Sequence, residues 1–404
     1  MCDTMVLRND TRIVFGKNSD RDPGEPQLIQ YCSGSEGLAQ ATHPERLVKY
    51  DTRQFLRLQE ASQGFTSPYN ALISRPAWMW GAEMGVNECG VAIGNEAVFS
   101  TSPVQKDGLL GMDILRLVLH NAESGNQAVQ MIIDLIERFG QGGDASYKGH
   151  LSYHNSFLVQ DSSEAFILET AGFHWAVKKI SSIGSISNAY TIGCDYDDAD
   201  PLTQHRHHHF TRRHASALHL LFTQGHVRQR QSAEKLSSTT PTWQGIRNIL
   251  ICSKTTRNKP DKSMRSICMD SQGLIKSQTT ASLIVESEGG MCLAWMTGAP
   301  APNLNPFYPL SLSKKAFNSE DFSNSMASYA FALYKIEQTN KIKRSSIEVQ
   351  TKIATWAREL EDAFENLVRK PFKLQDVKAL DEACAECRRL GKIHDARVDS
   401  LLAR

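Results

Sequence analysis

Several absences narrow the field before any motif is considered. The chain of 404 residues carries 45 basic and 44 acidic side chains. It therefore lacks the one-signed excess that a polyphosphate partner selects, and nucleic acid is not the expected partner. It also lacks any apolar run near the ~20 residues needed to span a bilayer, since the stretches around Ile132 and Leu220 are broken by polar groups. Residues 1–10 hold neither the basic stretch nor the apolar core of a secretory leader. The nine cysteines are odd in number and scattered, unlike those of a disulfide-stapled scaffold. A cytoplasmic chain in a reducing compartment is expected, its oligomeric state open and a homo-oligomer included.

What is present is enough apolar material, 41% of residues, for one large core or two moderate ones. The opening reads as a hairpin, Thr4–Arg8 and Arg12–Phe15 about the turn formers Asn9 and Asp10, followed by a polar loop over Gly16–Gly24. Residues 78–99 predict a second hairpin. Residues 109–139 predict two helices parted near Gly125. A meander of short strands is expected over 155–188, a helical His/Arg-rich stretch over 205–228, a strand pair at 277–295 and a helical tail beyond Asp321. Strands and helices in separate runs favour an α+β architecture.

Cys2 carries the first chemical signal. A cysteine next to the initiator position becomes the new N-terminus when Met1 is removed, which puts a thiol and a free α-amine on one residue. The amine titrates near ~7.7–8.0 and the thiol near ~8.5, so the amine can take the thiol proton at neutral pH. The hairpin brings Lys17 and Asp20 back beside Cys2, where a carboxylate can orient the amine and a cation favours thiolate. A solvated turn is the plainer alternative.

Cys2-Asp-Thr4, Gly16-Lys-Asn-Ser-Asp-Arg-Asp-Pro23 and Glu25-Pro-Gln27, with the later blocks Gly85–Ala97, Glu169–Ala176, Ile186-Ser-Asn188 and Ser277–Ser282, resemble the secernin and dipeptidase A family of cysteine peptidases. That family is similar to the bile-salt and penicillin V acylases. The resemblance implies a four-layer αββα sandwich of the N-terminal-nucleophile hydrolases over residues 1–310, with an added helical region, 311–404, packed on or beside it. It implies Cys2 as nucleophile, Asp20 orienting the amine, Lys17 where the acylases carry arginine, and Asn95 and Asn188 as oxyanion donors. Arg265, Ser277 and Thr279 would line the substrate pocket, the guanidinium meeting a peptide carboxylate; a structural ion pair is the alternative for Arg265. No metal and no organic cofactor are implied. The substrate would be a short peptide or another small amide, and a non-catalytic interaction protein that keeps the fold is the rival from another class.

Three further features favour a structural reading. Cys194–Asp200 with His205–His209 mixes oxygen and imidazole groups, but the interleaved Arg206, Arg212 and Arg213 oppose a cation. Cys384-Ala-Glu-Cys387 has no second pair to complete a zinc site. Cys89 is expected as a small buried hydrophobe, and His154 as a core or rim residue rather than a catalytic partner.

Overall fold

Asn9 turns the chain between its first two strands, its Oδ1 accepting from the backbone N–H groups of Thr11 and Arg12 at 3.1 and 2.9 Å. In this computed structural model, which describes residues 1–34, 52–253, 262–273, 275–317 and 325–403, that turn joins β1 (Cys2–Arg8) to β2 (Arg12–Arg21). There follow β3 (Gln27–Cys32), β4 (Ala71–Pro76), β5 (Met84–Asn87), β6 (Ala92–Val98), β7 (His154–Gln160), β8 (Ala165–Ala171) and β9 (His174–Lys179). Then come β10 (Ile183–Ile186), β11 (Asp198–Ala199), β12 (Asp270–Gln272), β13 (Lys276–Glu288), β14 (Met291–Thr297) and β15 (Tyr308–Ser311).

The strands make two antiparallel sheets. One runs β10-β1-β2-β13-β14-β15 with β12 beside β13, and the other runs β11-β9-β8-β7-β6-β5-β4-β3. The β13–β14 hairpin closes on Gly289 and Gly290 at φ +60° and +85°. Two successive left-handed positions suit the twist of a two-residue hairpin and select glycine.

Helices cover both outer faces. α1 (Thr52–Ser62), α2 (Gly111–Leu119) and α3 (Gly125–Phe139) bury Leu58, Ile114, Leu115, Ile132 and Ile136 with Ile73, Ile93 and Phe157 of the second sheet. Residues 201–250 hold α4 (Pro201–His205), α5 (Phe210–His214), α6 (Ala217–Thr223), α7 (Gly225–Leu236) and α8 (Trp243–Leu250). After the strands come α9 (Lys314–Phe317), α10 (Ser325–Arg344), α11 (Ile347–Lys373) and α12 (Val377–Leu402). Ile246 of α8, Phe364 and Val368 of α11 and Cys384 and Cys387 of α12 pack on Met5, Val14, Ile284 and Trp295 of the first sheet. A third cluster, with Val6, Phe15, Leu72, Val86, Leu158 and Leu283, fills the space between the sheets. The four αββα layers follow from these three clusters, since the central strands bury side chains on both faces. The expected boundary at 310 falls inside β15, and the tail helices share the first sheet's outer core.

Three expectations change. Gly16–Asp20 is strand, not loop, because β2 lies between β1 and β13 and its polar side chains find partners there. The last strand of the expected meander, β10, leaves its neighbours and pairs with β1 in the other sheet. Cys89 is exposed in the turn after Asn87 rather than buried.

Candidate active site

β1 places Cys2 opposite Ser19 of β2, and β2 in turn places Asp20 opposite Thr279 of β13. Both residues border a cavity of about 410 Å³ that also includes Asn95, Glu83, Arg21 and Ser277 in its wall. The Cys2 N–H donates to Asn188 Oδ1 at 2.9 Å, and the amino group of Met1 donates to the Asp20 carbonyl at 2.6 Å. The crossover of β10 makes this possible, because it delivers Ser187 and Asn188 to the start of β1; Ser187 Oγ donates to the Cys2 carbonyl at 3.1 Å.

Lys17 is wholly buried, its Nζ donating to the Asn95 carbonyl at 2.7 Å and to Glu96 Oε1 at 3.0 Å. Thr4 Oγ1 donates to the same carboxylate. Gly94 is the residue that lets Lys17 pass: a Cβ there would lie 2.5 Å from Lys17 Cδ. Burial alone would lower the Lys17 ammonium, but Cys2, Glu96 and Glu83 outweigh it and hold the group protonated. Burial raises the Cys2 thiol; Lys17 and the amino terminus oppose that, while Glu83 and Asp20 add to it. The thiol is therefore not a preformed thiolate and needs a base.

Asp20 Oδ1 accepts from Thr279 Oγ1 at 2.6 Å, whereas its buried Oδ2 has no partner. Burial lifts this carboxyl to about 7, against the pull of the amino terminus and Arg228. Between its ordinary 3.8 and about 7 the folded protein keeps a proton that the unfolded chain releases. Stability from this group is thus complete below about pH 4 and is lost as the pH rises through 7. Asn in its place keeps the Thr279 acceptor and cannot titrate. Thermal melts of protein retaining Met1 are expected to show the Tm difference moving in favour of Asp20→Asn between pH 4 and 7.5. A constant difference would contradict the burial account.

The two asparagines differ. Asn188 Nδ2 donates to the Ala97 carbonyl at 2.8 Å, which leaves one N–H of that amide uncommitted. Asn95 Nδ2 donates to Asn155 Oδ1 at 3.1 Å and to Met112 Sδ at 3.3 Å, and its Oδ1 is buried without a partner. Gln141 orients this chain, since its Oε1 accepts from the Asn155 backbone N–H and from Asn155 Nδ2.

The residues expected to bind substrate part company. Ser277 stays in the cavity wall. Thr279 is fully buried behind Asp20 and holds that carboxylate instead. Arg265 is exposed and outside the cavity, with its Nε on Gln224 Oε1 at 3.1 Å. Asp200 caps α4 and contacts His174 Nδ1 at 3.1 Å. His154 is buried with Nδ1 3.0 Å from Ser100 Oγ.

Arg228 is the residue that sequence reading misses. It is fully buried on α7, with Nε 3.0 Å from Asp3 Oδ2, Nη2 2.5 Å from Asn188 Oδ1 and Nη1 on the carbonyls of Thr223 and Met264. Asn188 Oδ1 is thereby fixed as an acceptor. In a basic helical stretch nothing distinguishes this arginine from its solvated neighbours Arg230 and Arg213, so only the crossing of α7 over β1 and β10 reveals it.

Among the described residues, no helix is long and apolar enough to cross a membrane. The chain is similar to the penicillin V acylase of Agrobacterium tumefaciens at 15% identity, covering 78% of this chain and 89% of that one, TM-score 0.42. It is similar to the C2A mutant of the conjugated bile acid hydrolase of Clostridium perfringens at 13% identity, covering 80% and 94%, TM-score 0.41. Residues 48–211 match the model of peptidase family C69, a span that begins after Cys2, Lys17 and Asp20 and contains Asn95 and Asn188. Over that span, which is less than half of the chain, the sequence is similar to peptidase family C69.

Proposed function

We propose that the chain is a cysteine N-terminal-nucleophile peptidase that cleaves dipeptides or other short peptides through a thioester on Cys2, once residue 1 has been removed. The observation that carries this reading is the pairing of a buried Cys2 at the cavity with an Asp20 carboxylate oxygen that no group satisfies. A buried carboxylate oxygen left bare is costly. Removal of Met1 turns the Cys2 amide nitrogen, which is no base, into an amine whose charged form Asp20 can hold.

The steps then balance on one residue. The amine takes the thiol proton as Cys2 Sγ bonds to the amide carbonyl carbon, and the carbonyl oxygen becomes an oxyanion. The uncommitted N–H of Asn188 is the donor available for that role, whereas both N–H groups of the Asn95 amide are given to Asn155 and Met112. Collapse breaks the C–N bond, and the ammonium returns its proton to the leaving nitrogen. Water, deprotonated by the same amine, cleaves the thioester and the thiol is restored. Lys17 supplies fixed positive charge beside the sulfur, as a point charge rather than arginine's fork.

One observation favours a second reading. Leu151, Phe222 and Ile275 are exposed around the cavity, and an apolar rim also suits the acyl chain of a non-peptide amide. Hydrolysis of unblocked dipeptides and of N-acyl amides by protein shown by mass to begin at Cys2 separates the two. Turnover of dipeptides is expected; turnover confined to N-acyl amides would replace the peptidase by an acylase.

A further inference from the structure

Resting on the peptidase reading, we infer that Glu25, backed by Arg21 and Glu83, forms a binding subsite for the free amino group of the substrate, so that the enzyme selects peptides with an unblocked N-terminus. The three side chains border the cavity of Cys2. Arg21 Nε donates to Glu25 Oε1 at 2.6 Å and Arg21 Nη1 to Glu83 Oε1 at 2.8 Å, so that one guanidinium is shared by two carboxylates. Glu83 Oε2 is used up, accepting from Ser19 Oγ and from Gln27 Nε2 at 3.4 Å. Glu25 Oε1 accepts a second bond from Trp78 Nε1 at 2.8 Å, but Oε2 has no partner although the residue is only 1% exposed.

Charge bookkeeping in the wall points the same way. Asp20, Asp22, Glu25 and Glu83 stand against Arg21, Lys276 and the amino terminus, an excess of one negative group when Asp20 is ionised. A low-dielectric wall of that sign attracts a cation and resists a second carboxylate. The cationic group common to unblocked peptides is the α-ammonium, whose three N–H donors fit an acceptor that has lost its water. An N-acylated substrate offers one neutral N–H there and leaves the carboxylate uncompensated, which discriminates strongly because a buried polar group stays unpaired. Burial raises the Glu25 carboxyl while Arg21 opposes it, and an arriving ammonium would add to the opposition.

The test uses the full chain processed to Cys2 and two substrates that differ only in the amine, Leu-Leu and N-acetyl-Leu-Leu. Expected is a kcat/KM at least about tenfold higher for the free amine. Glu25→Gln keeps an acceptor for Arg21 and Trp78, and is expected to raise KM for Leu-Leu about 10- to 100-fold, the loss of a hydrogen bond to a charged group, with little change in kcat. For N-acetyl-Leu-Leu the substitution removes the uncompensated carboxylate, so its kcat/KM should hold or rise and the preference for the free amine should collapse. A parallel titration measures binding of leucinamide and N-acetylleucinamide to Cys2→Ala protein, with and without Glu25→Gln, by calorimetry. Tighter binding of the free amine, abolished by Glu25→Gln, supports the subsite even if no peptide is hydrolysed, in which case the peptidase reading alone falls. Equal handling of blocked and unblocked partners, or a preference that survives Glu25→Gln, overturns the subsite and leaves the peptidase reading standing.

Discussion

Cys2→Ala is expected to lower amide hydrolysis by at least ~10⁴-fold while leaving substrate binding within a few-fold of the parent. Losses of that size accompany removal of a covalent nucleophile, because what survives comes only from binding and oxyanion stabilisation. The fold should tolerate the change. Alanine fills nearly the same volume at the start of β1, and the backbone bonds to Asn188 and Ser187 do not involve the thiol. Progress curves and melting temperature together check this. A variant that melts normally and still turns over substrate within tenfold of the parent would remove Cys2 from the chemistry.

Arg228→Ala is expected to combine a large stability loss with loss of activity. The guanidinium is ion-paired with the Asp3 carboxylate, and both groups are buried. Burial already raises the Asp3 carboxyl, and Arg228 is its main opposition. Removing one member of such a pair typically costs about 3–5 kcal/mol, because the other stays buried and uncompensated. Denaturant melts would read this directly. Activity should fall as well, since Arg228 fixes Asn188 Oδ1 and Asn188 in turn holds the Cys2 nitrogen. Asp3→Asn in the Arg228→Ala background should recover stability but not turnover, which separates the charge penalty from the positioning of Asn188. Recovery of both would mean that Arg228 acts through charge balance alone.

The layered α+β arrangement was legible where local chemistry agrees with the fold. The Asn9 turn, the hairpin over 84–98 and the two helices parted near Gly125 carry their own turn and capping signals, such as Ser124 Oγ accepting from Gln127 N at 3.3 Å. The stretch Lys17–Asp20 misleads for a physical reason. Its composition is that of a loop, but Asn18 Nδ2 reaches the carbonyls of Leu250 and Ile267, and Ser282 Oγ donates to Asn18 Oδ1, so that polar side chains are satisfied inside a strand. Tertiary partners separated by more than two hundred residues leave no local mark.

The candidate site divides along the same line. Cys2, Asp20 and Asn95 were readable because they sit in short motifs close to the cavity. Arg265 was drawn from resemblance and lies elsewhere on the surface. Thr279, expected to bind substrate, is buried and serves Asp20. Arg228 and the partnerless oxygen of Glu25 depend on how α7 crosses β1 and on how Trp78 and Arg21 approach Glu25, relations that exist only after folding.

The central claim is that Cys2 acts with its own α-amine. It is tested most directly by preparing two forms of the same protein, one beginning at Cys2 and one retaining Met1, each verified by intact mass, and measuring hydrolysis of Leu-Leu by both. Activity is expected in the form that begins at Cys2 and none above background in the other, with activity appearing when an aminopeptidase removes Met1. Equal turnover by the form that keeps Met1 would contradict it.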